Sequence, residues 1–178
     1  MNAKTTRALD RLEADTKELL TYLNRYDHQA LNSNPKPNTF SALQNLEHLM
    51  KSELMSQQYV QKKLSFEPRL KKAGLLTGLR LGWMRVGNRL PIKLKAPKFI
   101  AQESLPAESE FYEIVKRWRD QRTALRTYLD ELPEELHDKE IFKHPFAGRM
   151  TLYGMVVFFR DHLHRHKKQI RRALAGYR

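Results

Sequence analysis

Four long stretches of this chain repeat apolar residues at helical spacing, and none alternates apolar and polar residues as a half-buried strand would. Residues 4–31 read as one long helix carrying Leu9, Leu12, Leu19, Leu20, Leu23 and Leu31. The turn formers of Asn32–Asn38 end it. Thr39 or Ser41 then offers an N-cap for a second helix running to about Leu64, with Leu43, Leu46, Met50 and Leu54 as its apolar stripe and Pro68 beyond it. Glu108–Leu132 presents Phe111, Val115, Trp118, Leu125, Tyr128 and Leu129 on one side. Residues 133–150 read as loop, and Thr151 caps a last helix over 152–175. Between the second and third of these helices, residues 74–90 keep helical spacing despite three internal glycines, and residues 91–107 hold Pro91, Pro97 and Pro106 and read as extended. The pattern predicts an all-α fold: an antiparallel up-down four-helix bundle, one domain over residues 1–178, with a long basic crossover at about 65–107.

Composition narrows the chemistry. The chain has no cysteine, which excludes disulfides, thiolate metal sites, iron–sulfur clusters and a thiol nucleophile of its own. The longest apolar run, Leu152–Phe159, falls far short of the roughly 20 residues a spanning helix needs. The first residues are polar and include acids, unlike a signal peptide, and a cytoplasmic location is expected. The net charge of +13 is localised. Residues 68–102 contain nine cations (Arg69, Lys71, Lys72, Arg80, Arg85, Arg89, Lys93, Lys95 and Lys98) and no acid. The final helix is also basic, and the rest of the chain is close to neutral, so the scaffold is an ordinary one with two basic zones.

The last helix contains His162, His164 and His166. His162 and His166 are four apart, on one helical face and about 6 Å apart at Cβ, a spacing that lets two imidazoles share a metal ion. They continue the row of Met155, Phe158, Phe159, Ile170 and Ala173, which is the buried face. His164 shares a row with Arg160, Lys168 and Arg171, facing solvent. By spacing alone, the inward pair is equally consistent with satisfied core histidines. His48 lies beside Ser41, Gln44, Ser52 and Met55, off the leucine stripe, and periodicity makes it a surface residue.

The segments SALQNLEHLMKSE (41–53) and HPFAGRMTLYGMVVFFRDHLHRHKKQI (144–170) resemble the DinB-like superfamily of metal-binding four-helix bundles. The shared pattern is one histidine midway along helix 2, followed by an H-x-x-x-H pair on the last helix. The resemblance covers most of the chain. It implies a divalent metal held by His48, His162 and His166, with open positions for water or substrate, an up-down bundle with a long crossover, and pairing of two copies through a helix face. Three histidines accept Zn, Ni, Fe or Mn, with Zn and Ni foremost. Many relatives carry Glu after the first histidine of the pair. Here that residue is Leu163, so the zincin arrangement, with its glutamate base, is absent. Glu47, Glu53 and Asp161 remain as candidates for supporting ligand residues or bases, and each is equally an ordinary solvated helix charge.

Two functions from different classes follow. The resemblance implies a metal-dependent transferase, in which the metal activates a low-molecular-weight thiol, or a metal-dependent hydrolase. Arg80, Arg85 and Arg89 are candidates to hold an anionic substrate, and Trp83 and Met84 would line the entrance or fill core. The alternative is a binding module. Residues 68–98 combine cations with Leu75, Leu76, Leu79, Trp83, Val86 and Leu90, a composition suited to an anionic membrane surface or to nucleic-acid phosphates. No base-reading motif is present, so nucleic-acid binding would be non-specific. The simplest expectation is that these apolar residues pack on the bundle while Lys and Arg face water.

Overall fold

A computed structural model describes residues 1–37, 39–89 and 104–177, with the backbone alone for Arg89. The elements are α1 (Ala3–Leu23), α2 (His28–Asn32), α3 (Ala42–Leu64), α4 (Leu75–Arg89), α5 (Phe111–Glu131), a short 3-10 turn (Glu134–Leu136), β1 (Phe142–His144), β2 (Gly148–Met150) and α6 (Leu152–Ala173). The described residues are all-α apart from one small hairpin. Most of the crossover expected at 65–107, including Pro91 and Pro97, lies outside the described residues.

Local chemistry explains the helix starts. Asn2 Oδ1 accepts from the Thr5 amide, and Thr151 Oγ1 accepts from the Gly154 amide. Ser41 and Gln44 form a reciprocal capping box at the head of α3. The single helix expected over 4–31 is two helices. Asn24 closes α1, and Asp27 Oδ1 accepts from the Ala30 amide at 2.7 Å, which restarts the chain as α2. Residues 133–150, expected as loop, contain the hairpin, paired Phe142 to Met150 and His144 to Gly148. Gly148 has φ of +83°, a conformation that glycine adopts without strain. Gly154 answers a different need: a Cβ there would lie 2.9 Å from Met150 Cβ, so only glycine lets the end of β2 lie this close to α6.

Four long helices, α1, α3, α5 and α6, pack around a common core. Contacts across them set their directions. Lys4 lies over Tyr153, Asp15 meets Arg160 and His164, and Glu18 meets Lys167, so α1 and α6 run parallel. His166 meets Asn45 and His162 meets His48, so α6 and α3 run antiparallel. Glu47 meets Arg117, Gln121 donates to the Met50 carbonyl, and Glu53 meets Arg122, so α3 and α5 run parallel. Arg126 reaches Asp10 and Tyr112 reaches Asn24, which makes α5 antiparallel to α1. The strict up-down alternation expected from sequence therefore gives way to up-down-down-up. Two parallel neighbours need a connection that travels the length of the helices, and the segment between α3 and α5 supplies it.

Burial departs from the stripes in two places. Leu54, placed in the apolar stripe of α3, is 40% exposed. The first half of α3 is instead buried all round, polar residues included: Gln44, Asn45, Glu47 and His48 join Leu43, Leu46 and Leu49. Glu53 is buried too, and its carboxylate is held by the Arg122 guanidinium through two hydrogen bonds of 2.6 and 2.7 Å and by Trp118 Nε1 at 3.0 Å. Removing one partner of such a pair strands the other charge in the interior. Arg122→Ala should therefore lower the unfolding free energy by about 3–5 kcal/mol in urea titrations. A loss under about 1 kcal/mol would show that water reaches Glu53 in solution.

Candidate metal centre

The capping box fixes the start of α3, and Asn45 and His48, three residues apart, turn the same side of it towards α6. From α6, His162 and His166 face back. The three rings converge: His48 and His162 have centroids 5.2 Å apart, His48 and His166 4.7 Å, and His162 and His166 4.5 Å. One nitrogen from each lies within 4.8 Å of the others, an arrangement able to hold a metal ion. His48 is buried, not on the surface as periodicity predicts, because α3 is covered on its polar flank as well.

The donor set fits a divalent ion. The Nε2 atoms of His48 and His162 are 3.3 Å apart. Two imidazole nitrogens bound at 2.0–2.1 Å in tetrahedral geometry would be separated by about 3.3–3.4 Å. Asn45 sets the third donor. Its Nδ2 donates to the Ser41 carbonyl at 2.8 Å, which leaves Oδ1 to accept from His166 Nδ1 at 2.6 Å. The proton of His166 is thereby held on Nδ1, and its Nε2 lone pair is free for a ligand bond, the usual outer support of a metal-binding histidine. Burial, reinforced by neighbouring imidazoles and Arg165, holds His162 and His166 far below the ordinary histidine pKa, so both are neutral and able to coordinate. His48 and His166 are buried, and His162 is the most exposed of the three.

Aromatic rings wall the centre. Phe158 stacks on His162 with centroids 5.2 Å apart and planes at 14°, and Phe40 lies 5.4 Å from the His48 ring. His144 meets the other side of Phe158 edge-on at 4.6 Å. Its Nδ1 accepts from the amides of Phe146 and Ala147, closing the turn of the hairpin. Burial pushes its pKa down to about 4. Asn45, His144 and Phe158 are site-building residues that sequence reasoning did not single out as such. The signal for Asn45 was present as its spacing from His48 on a capped helix.

The carboxylates pointed out by the sequence are all engaged with arginines. Glu47 pairs with Arg117 and accepts from Ser109 Oγ at 3.3 Å. Glu53 belongs to the buried Arg122 and Trp118 cluster. Asp161 lies 3.6 Å from Arg85. Among the anion-binding candidates, Arg80 pairs with Glu140 at 3.2 Å, alongside Thr77 Oγ1, which donates to the same oxygen at 2.6 Å. Arg85 is the partner of Asp161, and the side chain of Arg89 lies outside the described residues. His164, placed in solvent by its row, is half-exposed and reaches Asp15 of α1 at 2.8 Å together with Arg160.

A model of the DinB superfamily matches residues 11–170. The chain belongs to the DinB superfamily. The match spans the triad, all of α3 and α6 as far as Ile170. No match was found among curated proteins or among solved structures.

Two outcomes test this DinB-family centre. Asn45→Ala frees the Nδ1 proton of His166 from its acceptor and should weaken metal affinity about 10–100-fold in competition titrations with a chelator. An unchanged affinity would show that Asn45 does not orient the ligand. The second concerns pH. In the metal-free protein, His144 is neutral when folded and protonates near pH 6.5 when unfolded, so its stabilisation is present above pH 6.5 and is lost as pH falls towards 4. Between pH 7.5 and 4.5, urea stability should fall by about 2–3 kcal/mol more in the native sequence than in His144→Gln. Identical pH profiles would remove His144 from the account.

Proposed function

We propose that this DinB-family protein is a metal-dependent transferase in which a small-molecule thiol is activated at the centre formed by His48, His162 and His166, with Zn or Ni as the resident ion. Three neutral imidazoles leave a bound divalent ion its full charge and an open position, and such an ion acidifies a thiol or water that binds to it. The observation that carries the choice of thiol over water is the engagement of Glu47, Glu53 and Asp161 with Arg117, Arg122 and Arg85. Leu163 occupies the position of the zincin glutamate and is fully buried. With these carboxylates engaged, the nucleophile's proton is lost to solvent, and a thiol of pKa about 8.5 needs far less acidification than water at 15.7. The absence of cysteine from the chain fits a thiol that arrives with the substrate.

Each residue has a part in this reading. His48, His162 and His166 hold the ion, Asn45 orients His166, and Phe40 and Phe158 keep bulk water off the ring faces. Both described candidate arginines are paired, Arg80 with Glu140 and Arg85 with Asp161; Arg85, at the α4–α6 contact and paired with the residue before His162, is the one to attract a carboxylate-bearing thiol by exchanging partners. Hydrolysis at the same centre is the second chemistry that the ion would support.

Metal analysis and spectroscopy test the proposal together. The purified protein should bind one divalent ion per chain, and His162→Ala should abolish it; the same stoichiometry in both would refute the ligand set. With the Co(II)-loaded protein, a low-molecular-weight thiol should produce a thiolate-to-metal charge-transfer band. A spectrum that does not respond to millimolar thiol, with the ion bound, would leave the centre standing and overturn thiol activation.

A further inference from the structure

The expectation that the apolar residues of 74–90 pack on the rest of the fold is not met by Leu75, Leu76, Leu79, Trp83 and Val86, and Leu90 lies outside the described residues. α4 is held by its other side. Thr77 and Met84 are buried, Thr77 and Arg80 bind Glu140, and Arg85 pairs with Asp161. Leu75 is 91% exposed, Leu79 70% and Trp83 77%, and Leu76 and Val86 are more than half exposed. At 100° per residue these five positions form one stripe about 100° wide, turned away from Thr77 and Met84. No described residue covers it. The exposure is not the fraying of a loose helix, because the approach to α4 is pinned. The Ala73 amide donates to the Asp138 carbonyl, Lys72 bridges Lys139, and Arg80 lies 3.7 Å from where a Cβ on Gly148 would stand.

Cations lie before this stripe in sequence and beside it on the helix. Arg69, Lys71 and Lys72 precede it and are exposed, and Arg80 and Arg85 border it on the helix. Lys63 at the end of α3 shares its surroundings with Lys143 and Arg149 of the hairpin, and burial together with these two like charges lowers its pKa. Phe66 and Phe146, near the same elements in sequence, are 73% and 63% exposed. No helix among the described residues is long and apolar enough to cross a membrane.

We propose that α4 is an interfacial docking helix that lays Leu75, Leu79, Trp83 and Val86 into the surface of an anionic lipid bilayer while the adjoining lysines and arginines meet the headgroups. An amphipathic helix with leucines and a tryptophan on one face and basic residues beside it has the chemistry for this position. A second copy of the chain is disfavoured by charge, because apposed stripes would bring the exposed cations Arg69, Lys71 and Lys72 of each copy towards those of the other. Nucleic-acid phosphates would engage the cations and leave the leucines uncovered. The proposal is independent of the metal centre.

The full chain provides its own probe. It contains two tryptophans, and Trp118 is buried, so an emission change on adding vesicles reports Trp83. Co-sedimentation with phosphatidylcholine vesicles containing phosphatidylserine, compared with phosphatidylcholine alone, should show at least tenfold tighter binding at low salt, weakening at high salt, with a blue shift of Trp83. Leu79→Glu, an exposed change that should leave the circular dichroism unaltered, should reduce binding at least tenfold. Equal affinity for the two vesicle types, or no binding to anionic vesicles at low salt, would overturn the proposal. So would a dimer in sedimentation equilibrium that Leu79→Glu dissociates, which would assign the face to a second copy. Binding to single-stranded RNA without binding to vesicles would equally overturn it.

Discussion

Burying the first half of α3 requires that its polar groups find partners, and four of its buried side chains find them on other helices. Asn45 is answered by His166, His48 by His162, Glu47 by Arg117 and Glu53 by Arg122. An unsatisfied polar group in the interior costs about 1–3 kcal/mol and a stranded charge more, so these pairings set the register of α3 against α5 and α6 more tightly than its leucines do. On the α6 side the partners are neutral imidazoles whose nitrogens converge, and on the α5 side they are arginines that neutralise the carboxylates. One helix thus separates a centre able to take a cation from two ion pairs, Glu53–Arg122 fully buried and Glu47–Arg117 with its arginine half-exposed.

The direction of the helices is part of the same solution. Because α3 and α5 run parallel, the chain must return along their length before α5 begins. That return carries α4, which docks on α6 through Arg85 and Asp161 and on the hairpin region through Glu140. The basic charge of the chain is concentrated there and in α6. The crossover therefore does more than connect: it places a cationic, apolar-faced helix beside the part of α6 that holds the histidines.

Much of the fold was legible in the sequence for reasons that can be named. Long helices with apolar rows and strong caps, such as Ser41 with Gln44 and Thr151, announce themselves through local chemistry. His162 and His166 were legible because both continue the buried row of α6. Periodicity missed His48, which the family resemblance alone singled out, because periodicity assumes that a helix has one wet side, and over residues 42–50 α3 has none. The strands Phe142–His144 and Gly148–Met150 are too short to show a period of two. The break at Asn24–Asp27 was hidden because the leucine spacing resumes at Leu31, and the signal was the capping aspartate. The exposed stripe of α4 was misjudged for the opposite reason. Its spacing is that of a helix with a buried face, and spacing does not say whether the face is covered by protein. Likewise, Glu47 and Glu53 sit in the α3 sequence near His48, but helical rotation turns them towards α5.

Three imidazoles from two antiparallel helices converge where one metal ion would bind. Crystals of the Zn-loaded protein measured at the zinc absorption edge test it most directly. The account predicts a single strong anomalous peak about 2.0–2.2 Å from one nitrogen each of His48, His162 and His166, with Asn45 still bonded to His166 Nδ1. A peak bound by only one or two of these rings, or located elsewhere on the chain, would contradict it.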